Sequence, residues 1–102
     1  MSANFKFINF EPENDLKTFS KEIYWLVEER APSRAAKVAS CEFGKSGFIS
    51  RIKIVCTSGT FEAQSQAVDA RESIDIAYKK IKGVLKTWSD NRLPELTEEA
   101  PA

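Results

Sequence analysis

The cations in the last third of the chain are the residues best spaced to do chemistry. Lys79, Lys82 and Lys86 recur at intervals of three and four, so on a helix turning about 100° per residue their ammonium groups form one row. Lys80 falls near the flank and Arg92 just beyond the end. Such a row suits nucleic-acid phosphates, which are contacted for position rather than for sequence. The plainer explanation is a solvated face whose cations complement the negative end of the helix dipole.

Catalysis is not expected. The chain has no histidine, and no pair of carboxylates is placed to face a common pocket, as general acid and base work would need. Asp75 stands four residues before Lys79 and pairs with it more naturally than with a substrate. Glu42 and Glu62 fall where Arg51 and Lys53 can screen them. Ser58-Gly59 is turn chemistry, since a phosphate loop needs more glycines and a following helix.

These cations need elements to position them. From Asp69 to Trp88 the residues Ile74, Ala77, Tyr78, Ile81, Val84, Leu85 and Trp88 make an apolar stripe opposite the lysines, and Asp69 with Glu72 has the spacing of a capping box. A first helix is predicted over Asp15 to Arg30, with Leu16, Phe19, Ile23, Leu26 and Val27 on one face, Asn14 or Asp15 as cap, and Pro32 ending it. Trp25 falls opposite that face, among Lys21, Glu22, Glu28 and Glu29, where it can stack on a base or touch a partner, or simply lie across neighbouring stems.

Strands fill the remainder. Residues 4–10, NFKFINF, read as a first strand before Pro12. Residues 37–43, 48–57 and 60–67 each alternate with period two and are joined by the Gly44-Lys45-Ser46-Gly47 and Ser58-Gly59 turns, which makes an antiparallel meander. If the first turn pairs Phe43 with Phe48, Cys41 lies opposite Ser50, and no disulfide joins Cys41 to Cys56. A strand, helix, strand unit favours a right-handed parallel crossover. The predicted fold is therefore α+β, in the order β-α-β-β-β-α, with a four-stranded mixed sheet and both helices on one face.

With 102 residues and 42% hydrophobic content, the chain is a single domain, read as 1–92, followed by a disordered acidic tail, 93–102. Net charge is zero, so any nucleic-acid affinity must come from placement. Residues 79–92 hold five bases against one acid, and residues 30–53 hold six, including Arg30, Arg34, Lys37 and Lys45, against one. The two cysteines have neither metal-ligand nor redox-motif spacing. No run is long and apolar enough to suggest a membrane span, so a cytoplasmic protein with neither cofactor nor small-molecule substrate is expected.

Taken with that element order, Ser73-Ile74-Asp75 followed by Lys80-Ile81 and Leu85 is similar to the "A-I-D", "K-L", "L" pattern of the ribosome hibernation-promoting factor family, also described as ribosome-associated inhibitors or sigma-54 modulation proteins. Leu16 and the segment from Thr57 to Asp69 fit as well. The chain departs from the family at Phe7-Ile8-Asn9-Phe10, where a glycine and a polar pair are usual, and at Gly83, Thr87, Ser89 and Asn91, where bases are common. The resemblance implies two parallel helices on a mixed sheet and binding of the small ribosomal subunit in the channel used by messenger and transfer RNA. It further implies suppression of translation in stationary or stressed bacteria. The residues expected to meet ribosomal RNA are Lys79, Lys80, Lys82, Lys86, Arg92, Arg34, Lys37 and Lys45, with Trp25 as a stacking or partner contact. The other expectation is a protein-interaction module of the same fold that has left the ribosome.

Overall fold

The computed structural model describes residues 5–32, 35–57 and 59–99, with only the backbone described from 89 onward. Six elements follow in the predicted order: β1 (Lys6–Ile8), α1 (Asn14–Arg30), β2 (Ala36–Gly44), β3 (Gly47–Cys56), β4 (Gly59–Ala67) and α2 (Ala70–Glu99). The sheet order is β1-β2-β3-β4. β1 runs parallel to β2, and the other two pairings are antiparallel.

Alternation along the strands decides which face is covered. Register aligns Ala39, Ile52 and Ala63 across the meander, and Cys41, Ser50 and Ser65 on the next rung. All six are buried, and they share one core with Ile23 and Val27 of α1 and Ile74, Ala77, Ile81 and Leu85 of α2. Both helices therefore lie on this face. Side chains of opposite parity, among them Arg51, Lys53, Glu62, Gln64 and Gln66, are exposed. The register also sets Cys41 against Ser50, and both cysteines are free.

Four small polar side chains anchor the start of α2. The Ser73 hydroxyl donates to the Ala70 carbonyl at 2.9 Å. Its one proton being spent, Ser73 Oγ accepts from Ser50 at 2.7 Å and from the Cys41 thiol at 3.7 Å. The Ser65 hydroxyl donates to the Ser73 carbonyl. One helical residue thus engages β2, β3 and β4. Burial pushes the Cys41 thiol above its ordinary pKa, against the opposing pull of its Ser50 and Ser73 contacts. Asp69 completes the junction by accepting from the Glu72 amide at 3.3 Å, one arm of the anticipated capping box.

Local geometry departs from the sequence-based expectation in three places. β1 is only three residues long because Asn9 takes a positive φ of 66°, which ends the extended run. Phe10 is thereby turned to the helix side, where its ring meets Phe7 and Phe48 edge-on. α1 is capped by Glu13 without a side-chain bond, the Lys17 amide reaching the Glu13 carbonyl at 2.9 Å, so neither Asn14 nor Asp15 is the cap. Val84 is 39% exposed and stands off the buried stripe. The backbone of α2 runs as helix to Glu99.

The β2–β3 turn has a strict demand for glycine. Gly47 sits at φ 126°, and a Cβ there would come within 2.5 Å of the Ala67 carbonyl oxygen. This contact brings the turn against the end of β4, just before α2 begins.

Candidate nucleic-acid interface

The lysine row forms as its spacing requires. Ile74, Ala77, Ile81 and Leu85 pin one side of α2 to the sheet, so the opposite arc must face solvent. Lys79, Lys82 and Lys86 are all exposed and lie within about 60° of one another around the axis, spread over roughly 10 Å of its length. Lys79 pairs with Asp75 at 3.0 Å, the i,i+4 contact anticipated from sequence. At that exposure the pair is worth only about 0.3–0.5 kcal/mol. Lys82 extends along the Tyr78 ring, its ammonium 5.9 Å from the centroid. Among the side chains described, those up to residue 88, no carboxylate lies within ion-pair distance of Lys82 or Lys86.

Lys80 belongs elsewhere. It projects about 130° away from the row and donates to the backbone carbonyl of Gln64 at 3.0 Å. Gln64 is on β4, an edge strand, so Lys80 covers an edge acceptor while its exposed end remains available.

Lys37 is more fully committed. It shares the inner rung with Ile54 and Phe61, and its side chain is only 17% exposed. Its ammonium donates to the Ala35 carbonyl at 3.1 Å and lies 3.7 Å from Glu28. Tyr24 closes over the same point, its hydroxyl donating to the Lys37 carbonyl at 3.5 Å. Burial, then the Glu28 charge, raises the Tyr24 pKa. The parity of Lys37 with Ala39 and Cys41 was the sequence signal that this lysine points inward.

Lys45 is exposed on the β2–β3 turn, at the end of the sheet where β4 stops and α2 starts. The lysine row occupies the other stretch of α2, so the fold does not bring Lys45 to it. Arg34 and the side chain of Arg92 lie outside the described residues. Arg30 is exposed in the last turn of α1. Trp25 is 57% exposed, on the outer side of α1 as anticipated. Of the anticipated residues, then, the structure gathers Lys79, Lys82 and Lys86, sets Lys80 on the adjacent sheet edge, encloses Lys37 beside Glu28, and leaves Lys45 and Trp25 exposed on other elements.

Sequence reasoning missed the part played by Tyr78. It counts among the apolar stripe, yet its half-buried ring supports Lys82. An aromatic four residues before an exposed lysine was the available signal. Among the described residues no group of three or more His, Cys, Asp or Glu side chains is arranged to hold a metal ion. No helix is long and apolar enough to cross a membrane among them.

No protein-family model matches the chain, and no curated protein matches it in sequence. Solved structures do. The N-terminal domain of Protein Y from Thermus thermophilus superposes with a TM-score of 0.66 at 14% identity, over 83% of this chain and 98% of that one. A ribosomal subunit interface protein from Coxiella burnetii gives a TM-score of 0.65 at 13% identity, over 84% and 97% of the two chains. At these identities the likeness is one of fold.

Proposed function

We propose that the chain binds the small ribosomal subunit through ribosomal RNA phosphates and, by occupying the messenger and transfer RNA channel, suppresses translation. The observation that carries this reading is the exposed Lys79, Lys82 and Lys86 row, in which Lys79 pairs with Asp75, on a fold shared with a protein whose name places it at the ribosomal subunit interface. Lys80 adds a fourth cation from the sheet edge. The mechanism is occupancy: a compact domain held by backbone contacts excludes other ligands without making or breaking a bond. RNA of irregular shape is recognised in this way, by phosphate and contour. The reading also implies work in the cytoplasm, as a regulator of translation during stress or stationary phase.

Sedimentation of stationary-phase lysate through sucrose tests it. The chain should travel with small subunits, and Lys79→Glu, Lys82→Glu and Lys86→Glu together should return it to the top of the gradient. With about four phosphates neutralised, the logarithm of affinity for small subunits should fall with the logarithm of salt at a slope of about −3 to −4. A slope near zero would remove the RNA contact. Migration away from ribosomes in every condition would favour the other reading, a protein-interaction module, for which the exposed Trp25 is the best contact.

A further inference from the structure

We infer that the cleft where α1 and α2 both begin is a docking site for a basic peptide segment bearing one aromatic side chain. The cleft holds about 350 Å³, near the lower end of the range of roughly 300–1,000 Å³ for ligand sites. Phe10, Pro12, Leu16 and Phe48 supply its apolar lining. Phe10 reaches it only because of the positive φ at Asn9, and its ring packs edge-on against Phe48 with centroids 5.0 Å apart. Both rings stay partly exposed, leaving aromatic surface for an incoming side chain to cover.

The surrounding charge selects the occupant. Glu11, Glu13, Asp15 and Asp69 line the same cleft and are exposed. The three ion pairs among the described residues involve none of them. Arg71 is the cleft's one cation, and its guanidinium lies 4.4 Å from the centre of the Phe19 ring. Helix dipoles account for Asp15 and Asp69. They account less well for Glu11, which precedes α1, and not at all for the aromatic lining. An acidic rim around an apolar floor repels phosphate and attracts a lysine- or arginine-rich segment, with the floor taking an aromatic anchor.

This site is separate from the lysine row, which begins about 15 Å further along α2 and ends about 25 Å along it. Either can therefore fail without the other. The probe is a capped hexapeptide of lysine and arginine with one central phenylalanine, titrated into the isotope-labelled full chain and followed by amide chemical shifts. Saturable shifts are expected at Glu11, Leu16, Phe48 and Arg71, weakened at least tenfold when alanine replaces the peptide's phenylalanine. Glu11→Gln, Glu13→Gln and Asp15→Asn combined should also weaken binding at least tenfold, and Lys79→Gln, Lys82→Gln and Lys86→Gln combined should leave it unchanged. These are exposed positions, and a dispersed amide spectrum confirms that each variant is folded. Three results would overturn the proposal: no saturable shifts, equal binding by the carboxylate variant, or cleft shifts that appear on concentrating the protein without peptide, which would make a second copy the occupant.

Discussion

The two halves of α2 are made for different work. Up to Ala77 the helix is tied down: Ser73 meets three strands, Arg71 lies on α1 through Phe19, and Ile74 is fully buried. From Lys79 to Lys86 only Ile81 and Leu85 are buried, and the other positions face outward. Gly83 stands in this second half with open space around it, a residue costing about 1 kcal/mol relative to alanine in a helix. One element thus holds the fold at its start and presents charge along its continuation. Stability and binding should accordingly separate when the buried positions and the exposed lysines are altered.

The hardest test of that division is Ile81→Ala, which removes a fully buried side chain from the second half. It should cost about 2–5 kcal/mol in urea unfolding. A cost under 1 kcal/mol would mean that the lysine-bearing half is not held by the sheet. Ser73→Ala comes next, at about 1–3 kcal/mol, because the Ser50 hydroxyl loses its buried acceptor. Combining it with Ser50→Ala should cost less than the two single changes added together, and strict additivity would show that the hydroxyls do not act as a unit.

Charge changes should have the reverse profile. Lys79→Gln, Lys82→Gln and Lys86→Gln together should shift stability by less than about 1 kcal/mol. The same variant should flatten the salt slope of RNA binding by about 2–3. Lys45→Ala, at the other end of the sheet, should leave that slope unchanged. An equal loss from Lys45→Ala would mean that the contact surface spans the whole molecule.

The smallest expected effect is on pH. Cys41 and Tyr24 both have raised pKa values in the folded chain, so the fold favours their protonated forms. Their contribution is complete below the unfolded values, about 8.5 for cysteine and about 10 for tyrosine. It is lost as pH climbs through the folded values. The melting temperature should decline above about pH 8.5, and Cys41→Ala should lessen the first part of that decline. A flat profile would mean that the junction beneath Ser73 tolerates a thiolate.

Alternation and helical spacing carried most of the architecture. Three period-two runs separated by turn residues specified the meander, its Cys41 to Ser50 register included, because side chains on a pleated strand can go to only two faces. Ile74, Ala77, Ile81 and Leu85 similarly dictated that Lys79, Lys82 and Lys86 face outward together, and the i,i+4 rule named Asp75 as partner of Lys79. The site was less legible. Lys37 looks like any surface cation until its parity is compared with that of Ala39 and Cys41.

What the sequence alone determined, then, was the element order, the meander pairing and the lysine row, all properties of neighbours a few residues apart. Tertiary structure decided the rest: that Ser73 joins three strands, that Lys80 belongs to the β4 edge, that Lys37 is enclosed beside Tyr24 and Glu28, and that Phe10 turns to meet Phe48. Each of these depends on which surfaces meet when distant segments pack. Local periodicity says which way a side chain points from its own backbone, and only the assembled chain says what stands there.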